Sequence, residues 1–527
     1  MTLVAGFLFA VTAAGLLCLV SDWPHSVMLD VLVSVLVSMV VSSEVATAWS
    51  ALAAPRPWPR LATLIAHRTG LAVAAAGPSP SADAPAAGGE AGRRQVSRLR
   101  LALFVYLLGA EMVRPFLVLF IDGLYTPSFP LGHDVAIGLP YLSWGLAVIA
   151  ATTLGNALNQ RFSPRTVFAG GCLLAMVASL LMAVAADLYQ VIVFRALIGV
   201  ATGIVTLTGL LCVTKYAPRT EQARSMAAFV GAGVAGSIGG NALGGLLAGA
   251  AGFRPVFLVV AAVIAVAALL GLQLLPAARE EKGGMPPPSG RTTLAILLNW
   301  RVAALSLLLI VPGRMVIYGV FSFVLPQLLN RMGIGLSLTG HIMMSYFLVM
   351  AALSPLVSRH SDRFRCHPAM LGLGAGLSGL SAVTMAVGGS GWVEFAAVVL
   401  LGIGQAAVGT SQYAVAGLLF RDLSARYGLG SLTSTFRLVE MTAAVVAVPL
   451  ISLGSGFLGC DRAVFWLGAA TLAAALLGAL LLIPPPDGKA SGADEAFEGV
   501  PVEFGNGLTQ SSGNVAELRR QAVDEKG

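Results

Sequence analysis

The sequence predicts an all-α polytopic membrane protein, made of two six-helix bundles and an N-terminal two-helix hairpin. Of its 527 residues, 57% are hydrophobic and only 11% are charged, whereas soluble domains have about 25% charged residues. Apolar runs of about 20 residues, the length that crosses a bilayer core, recur between short polar connections. No alternating pattern typical of membrane β-strands is present. The formal charge of +7 comes from basic connections on one side of the membrane.

Residues 1–55 are predicted to form a transmembrane hairpin. They contain apolar runs at 3–20 and 28–51, and the first run lacks the basic start of a cleaved signal peptide. Residues 56–100 are a predicted cytoplasmic linker. Its part at 70–92 is rich in Ala, Gly, Pro and Ser, a composition typical of flexible segments.

Twelve further spans follow in the predicted topology. They lie at 101–124, 137–158, 167–186, 190–213, 225–250, 255–275, 302–329, 340–358, 369–388, 393–420, 429–458 and 463–483. The connections after even-numbered spans are basic, for example with Arg161 and Arg165 after span 2. The connections after odd-numbered spans carry few basic residues. The positive-inside rule therefore places the basic connections and both chain termini in the cytoplasm.

The twelve spans divide into two halves with features of a repeat. Phe229 to Gly252 covers span 5, and Phe436 to Gly459 repeats the same spacing in span 11. Parallel halves of six spans are an architecture of membrane transporters. The predicted segments are an N-terminal bundle at 101–275, a cytoplasmic linker at 276–299, a C-terminal bundle at 300–483 and a disordered cytoplasmic tail at 484–527.

Span 1 carries two charges near its centre. Glu111 and Arg114 are three residues apart and therefore share one face of a helix. A charge at mid-depth of the bilayer costs about 2.5–3.5 kcal/mol by insertion scales, so it faces the protein interior or a watery cavity. Pro115 follows at once and crowds the carbonyl group of Glu111. We therefore predict a kinked helix that lines a moving pathway.

Four more charged residues within the spans are Arg195, Arg314, Arg437 and Glu440. Aligning AEMV of span 1 with GRMV of span 7 makes Arg314 the repeat partner of Glu111. We therefore expect these two side chains to face each other and to pair when the cavity is empty. Arg437 and Glu440 have the i,i+3 spacing of a pair within one helix, and we predict that they form a structural ion pair or act in gating.

No motif predicts a cofactor, a metal or a nucleic-acid partner. GAGVAG (231–236) and GAGLSG (374–379) fit a dinucleotide pattern but lie inside spans, without the strand that such a site needs. No Walker sequence occurs, the histidines are scattered, and no basic patch with aromatic residues is found. We expect a protein that is not an enzyme. The cysteines match no zinc or disulfide spacing and are interpreted as packing residues: Cys18, Cys172, Cys212, Cys366 and Cys460.

Two loops resemble a loop of the major facilitator superfamily, which usually reads G-x-x-x-D-R-x-G-R-R. The loop after span 2, NALNQRFSPR, keeps Arg161 and Arg165, but Gln160 replaces the acid. The equivalent loop after span 8, SRHSDRFR, keeps Asp362 and Arg363. The resemblance implies a gating role for these two pairs of residues.

Two glycine motifs extend the resemblance, which covers residues 101–483. Arg195 in span 4 precedes Gly199 and Gly203, which is similar to the family's R-x-x-x-G feature. GAGVAGSIGG in span 5 is similar to the G-x-x-x-G-P-x-x-G-G motif of the family's proton antiporters, with Gly236 in place of the proline. Small residues at these spacings also let helices approach closely, so packing alone is the alternative interpretation.

The resemblance implies a secondary active transporter whose two bundles rock around a site at the membrane midplane. Spans 1, 4, 7 and 10 line this site in the family, which makes Glu111 the candidate proton-coupling residue. Arginines outnumber acids among the candidate residues, which favours an anionic or zwitterionic solute. The candidate solute-binding residues are Arg114, Arg195, Arg314, Tyr318, Gln412 and Tyr413.

The resemblance also implies proton-coupled exchange, with efflux favoured, in a bacterial plasma membrane whose lipid surrounds the spans. At Glu111, burial favours the protonated carboxyl group and Arg114 favours the carboxylate, so that rocking could switch its proton. The alternative is a membrane receptor or scaffold that keeps the transporter fold without transport. Flux of a solute would exclude that alternative.

Overall fold

The computed structural model describes residues 86–217, 222–277 and 290–482, apart from 365, 421–422, 424–425 and 428. These residues form helices joined by short connections, and no strand occurs among them. The predicted hairpin and C-terminal tail lie outside the described residues, as do Cys18 and most of the first linker. The all-α architecture predicted for the two bundles is confirmed.

Fourteen helices, numbered here in chain order, build the described part of the chain. The first seven are α1 (Ala86–Glu111), α2 (Leu117–Asp122), α3 (His133–Arg161), α4 (Pro164–Val184), α5 (Leu188–Tyr216), α6 (Gln222–Ala251) and α7 (Phe253–Leu274). The others are α8 (Gly290–Leu297), α9 (Trp300–Arg331), α10 (Leu336–Phe364), α11 (His367–Val387), α12 (Gly391–Leu419), α13 (Leu429–Leu458) and α14 (Cys460–Leu482).

Eleven helices in the described ranges are long and apolar enough to cross a membrane. They correspond to predicted spans 2–12, and several extend a few residues beyond the predicted bounds. Span 1 differs because it is divided between α1 and α2. Within α9, two π-helical segments, Ser306–Ile310 and Val316–Val324, interrupt the α-helix. Such segments are often found at functional sites.

Two helices lie partly or wholly inside the predicted linkers. Helix α1 already begins at Ala86, because Ala, Glu, Gln and Arg are good helix formers and because Val96 and Leu99 are buried. Helix α8, Gly290–Leu297, precedes span 7 and buries Ile296 completely. The boundaries of the remaining segments stay predictions.

The predicted repeat appears in the backbone at the ends of α6 and α13. Gly252 follows α6 with φ 82°, and Gly459 follows α13 with φ 85°. Glycine is the residue that adopts this left-handed conformation without steric strain, and it commonly ends helices. In both halves, the next helix begins directly after this glycine. The equal spacing read from the sequence therefore reflects equal backbone geometry.

Most helices pack against helices of their own half. In the N-terminal half, α3 packs on α5, α4 on α7, and α1 on α6 and α7. In the C-terminal half, α11 packs on α12 and α14, and α10 packs on α12. Between the halves, the main contacts join α3 to α13 and α6 to α10.

The contacts between the halves lie toward the predicted external side. Gly245 of α6 and Gly340 of α10 approach each other there, and a Cβ atom on Gly340 would lie 2.5 Å from the backbone oxygen of Asn241. Gly138 of α3 similarly approaches Ser452 of α13. All of these residues are in the helix halves that the charge asymmetry places outside. In this conformation the described halves are therefore in contact on the predicted external side.

Candidate functional site

Span 1 is broken at its charged residues, as Pro115 predicts. Helix α1 ends at Glu111, and the turns at 112–116 separate it from α2. Pro115 has no N–H group to donate to the Glu111 carbonyl oxygen, which instead accepts from the N–H of Arg114 at 3.2 Å. The predicted kink is thus a complete interruption of the α-helix, placed directly after the glutamate.

Glu111 and Arg114 form a bidentate ion pair at this break. Nε and Nη2 of Arg114 donate to Oε2 and Oε1 of Glu111 at 2.5 and 2.7 Å. Their side chains keep 16% and 22% of their surface accessible, respectively. Bidentate pairing of this kind is among the stronger charge-assisted interactions in proteins. The pair is therefore neutral overall and only partly buried.

Arg114 also connects the two halves of the protein. Its Nη1 donates to the hydroxyl group of Ser322 at 2.8 Å, and Ser322 belongs to the second π-helical segment of α9. Ser322 in turn donates to the carbonyl oxygen of Ile317 at 3.1 Å. The ring of Phe347 in α10 lies 5.7 Å from the Arg114 guanidinium, within the range of a cation–π contact. The charged break in span 1 is thus bound to span 7.

A second ion pair joins α9 to α13 within the C-terminal half. Nη2 of Arg314 donates to Oε1 of Glu440 at 2.9 Å, and Glu440 is only 3% exposed. The predicted pairing of Glu111 with Arg314 is therefore wrong, and so is that of Arg437 with Glu440. Arg437 is exposed. π-Helical segments lie on both sides of Arg314. They have more residues per turn than an α-helix, so the direction of a side chain in α9 cannot be taken from a simple alignment with span 1.

Two tyrosines place the ion pairs in one polar region. Tyr318 of α9 and the buried Tyr346 of α10 lie near both Arg114 and Arg314. Arg195 of α5 also lies near Arg114. Four of the predicted solute-binding residues, Arg114, Arg195, Arg314 and Tyr318, are thus brought near one another.

Arg195 differs from the other two arginines in its surroundings. Its guanidinium lies 5.8 Å from the ring centre of Tyr141 and 5.6 Å from that of Trp144, both in α3. Its Nε atom is buried without a hydrogen-bond partner, and among the described residues no carboxylate lies within salt-bridge distance. Arg195 is therefore a partly exposed cation held by aromatic rings.

The remaining predicted solute-binding residues are in span 10. Gln412 is buried, and its Oε1 atom has no hydrogen-bond partner in the described part of the chain. No described contact joins it to the arginines. Tyr413 lies in α12, but its side chain is outside the described residues.

Sequence reasoning missed Ser322, Phe347, Tyr346 and Tyr141. The one available signal for Ser322 was its position as a polar residue between two phenylalanines in an apolar run. The three aromatic residues carry no signal that separates them from ordinary core residues. Their contacts with arginines depend on how different spans pack.

Both glycine motifs act in helix packing. Gly199 and Gly203 of α5 lie against the backbone of α3 near Trp144 and Val148. In α6, a Cβ atom on Gly240 would lie 2.6 Å from the carbonyl oxygen of Leu108 and 2.8 Å from Cβ of Glu111. These contacts support the packing interpretation, because only glycine allows such an approach. The glycine face of α6 thereby holds α1 at its charged end.

We predict that Gly244→Ala destabilises the protein by about 1–3 kcal/mol, a typical cost of overpacking. A Cβ atom on Gly244 would overlap the carbonyl oxygen of Met112, in the break itself. Gly231→Ala in the same helix is the matched control, since a Cβ atom there meets nothing within 4 Å. Thermal unfolding of the purified variants measures both. Equal stability of the two variants would contradict the packing role.

The loops with a predicted gating role lie apart from this region. Arg161, Asp362 and Arg363 are exposed, and Arg165 is partly exposed. Asp362 lies 3.5 Å from Nε2 of His367. Ion pairs that would link the two loops are not found among the described residues. Their gating role stays a prediction.

The four described cysteines form no disulfide bond with one another. Cys172 and Cys212 are buried, whereas Cys366 and Cys460 are partly buried. The described residues also contain no group of His, Cys, Asp and Glu that could hold a metal ion.

Comparison with known proteins identifies the family. The model described as Major Facilitator Superfamily matches residues 99–340 and 307–520. Multidrug resistance protein MdtG of Salmonella paratyphi C (strain RKS4594) is 29% identical over 186 residues, which are 33% of this chain and 45% of that protein. MdtG of Citrobacter koseri is 31% identical over 172 residues, 32% of this chain and 41% of that protein. The chain thus matches less than half the length of these relatives.

Solved transporter structures share the fold. A bacterial homologue of the human lysosomal transporter Spinster, inward-facing and unoccupied, gives a TM-score of 0.59 at 16% identity and covers 74% of this chain and 96% of that one. The nucleoside transporter NupG gives a TM-score of 0.61 at 13% identity, and the match covers 74% of this chain and 100% of that one. At such identities the likeness shows the fold alone. The family match across both halves shows that this integral membrane protein belongs to the Major Facilitator Superfamily.

Proposed function

We propose that this protein is a secondary active transporter that couples the movement of a small anionic or zwitterionic solute to that of a proton. The observation that carries the proposal is the bond from Arg114 to Ser322, made while Arg114 is paired with Glu111. One proton-binding group is thereby connected to the interface between the halves. A change in the relative position of the halves must change the surroundings of that group.

The physical coupling follows from the broken helix. Rocking that separates α9 from the break removes the Ser322 hydroxyl from Arg114 and admits water. Burial favours the neutral carboxyl group of Glu111, whereas Arg114 favours its carboxylate. An incoming negative group disfavours the nearby carboxylate of Glu111, which then takes up a proton. Release of the solute restores the pair and releases the proton.

The charges of the polar region favour a solute with a negative group. Three arginines, Arg114, Arg195 and Arg314, are balanced by two carboxylates, Glu111 and Glu440. The balance is 3 − 2, a net charge of +1. The relatives named multidrug resistance proteins favour export as the direction. We place the protein in a bacterial plasma membrane, with the basic connections in the cytoplasm.

The test is reconstitution of the full chain in liposomes with and without a pH gradient. Radiolabelled anions, zwitterions, cations and neutral solutes are compared for uptake. We expect uptake of an anion or zwitterion that rises with the gradient and stops when an ionophore dissipates it. Uptake of cations only, or uptake indifferent to the gradient, would contradict the proposal. No flux for any solute class would favour the non-transporting receptor instead.

A further inference from the structure

Arg195 and Tyr141 form a pair of polar groups without partners at the side of the polar region. Nε of Arg195 and the hydroxyl group of Tyr141 are both buried, and neither has a hydrogen-bond partner among the described residues. The Arg195 guanidinium is 5.8 Å from the Tyr141 ring centre. A buried polar group without a hydrogen bond is unfavourable, because it has lost its bonds to water without replacement. Two such donors side by side indicate a position that a ligand completes.

The charge at this position is also unbalanced. Arg114 is paired with Glu111, and Arg314 is paired with Glu440. The net charge of +1 in the polar region is therefore located at Arg195. One negative charge neutralises it, whereas a dianion would leave an uncompensated charge in a low-dielectric site. The ligand that fits is a monoanion.

The surroundings of Arg195 are aromatic and reach both halves of the protein. Trp144 lies on the guanidinium at 5.6 Å, and the ring of Tyr141 packs edge-on against Phe323 of α9 at 5.4 Å. Aromatic rings favour flat apolar groups, which stack or pack edge-on against them. A planar guanidinium matches the geometry of a carboxylate, with which it forms paired hydrogen bonds.

We propose that Arg195 and Tyr141 bind the carboxylate of an aromatic monocarboxylate solute, with Trp144 and Phe323 against its ring. The proposal rests on the transport function proposed above and names its solute class. It moves the anion-binding role from Arg114 and Arg314, the residues expected from the sequence, to the one arginine of the polar region without a described carboxylate partner. Phe323 belongs to the C-terminal half and is itself buried, so a solute ring reaches it as the halves move apart, and solute entry can drive that movement.

The test is binding of benzoate to the purified full-length protein in detergent, measured by titration calorimetry without any gradient. We expect benzoate to bind, and three other compounds to bind at least about 10-fold more weakly. Benzamide lacks the negative charge, acetate lacks the aromatic ring, and phosphate lacks the ring and is partly a dianion. Tyr141→Phe should weaken benzoate binding about 10-fold and Arg195→Gln about 100-fold. Tyr106→Phe is the matched control, because the buried Tyr106 hydroxyl already bonds Thr202 at 3.0 Å, and its affinity should not change.

Absence of benzoate binding would overturn the proposal, as would equal binding of benzamide or phosphate, or unchanged affinity in both variants. If Arg195→Gln fails to fold, Tyr141→Phe and Arg195→Lys decide instead, since the lysine keeps the charge but loses the planar fork. Failure of the transport function has a different signature. Benzoate binding without any flux in liposomes would overturn the transport proposal and leave this binding site intact.

Discussion

Liposomes that contain the Glu111→Gln variant should not accumulate solute in response to a pH gradient, while exchange between equal solute concentrations continues. One proton that moves down a gradient of one pH unit supplies about 1.4 kcal/mol, enough for an approximately 10-fold solute gradient. The variant has no carboxyl group to bind that proton, so its accumulation ratio should fall to about 1. Radiolabelled uptake with and without the gradient measures the ratio, using the solute that the wild-type protein transports.

Asp122→Asn is the matched control for this experiment. Asp122 ends α2 on the same span, but its side chain is 48% exposed and contacts His133 at 2.6 Å, away from the break. It should leave the pH-driven accumulation unchanged. Because Glu111→Gln leaves Arg114 without its counter-charge, thermal unfolding and counterflow confirm that the variant is folded and active. Full pH-driven accumulation by a folded Glu111→Gln protein would assign Glu111 a structural role only.

The second large effect should come from the ion pair in the C-terminal half. Glu440→Leu should lower the stability by about 3–5 kcal/mol, because it leaves the Arg314 guanidinium without the carboxylate that it contacts at 2.9 Å. Replacing both partners, as Arg314→Met with Glu440→Leu, should recover most of this loss, since no uncompensated charge then remains. Thermal unfolding in detergent measures the stability of the wild-type protein, the single variant and the double variant.

Arg437→Leu tests whether Glu440 is paired with Arg314, as in the structure, or with Arg437, as the sequence predicted. Arg437 is exposed, so its replacement should change the stability by less than about 0.5 kcal/mol. A cost equal to that of Glu440→Leu would instead support the i,i+3 pair within α13. Failure of the double variant to recover stability would show that Glu440 has a role beyond neutralising Arg314.

The charge pair in span 1 could be predicted because its determinants are adjacent in the chain. Glu111 and Arg114 are three residues apart, which places them on one helix face whatever the rest of the protein does. Pro115 interrupts the backbone hydrogen bonding by its own covalent structure. The glycines that end α6 and α13 act in the same local way, since their positive φ values follow from the absence of a Cβ atom.

The partner of Arg314 could not be predicted in this way. Arg314 and Glu440 are 126 residues apart, and their contact depends on how α9 packs on α13. Two π-helical segments of α9 also flank Arg314, and the alignment of span 1 with span 7 takes no account of their different helical geometry. No residue type marks these segments in the sequence. The same argument applies to Ser322, which contacts Arg114 from the other half of the protein.

The sequence by itself determined the membrane-spanning architecture, the charged break in span 1 and the repeat of the two halves, because hydrophobicity, proline and glycine act over neighbouring residues. It also identified the three arginines, since a charge inside an apolar span is costly unless it is buried in the protein. Only the tertiary structure decided the partners of the other two arginines. Arg314 contacts the carboxylate of Glu440, and Arg195 contacts the rings of Tyr141 and Trp144. Those contacts arise where helices distant in the chain pack together, so no local pattern predicts them.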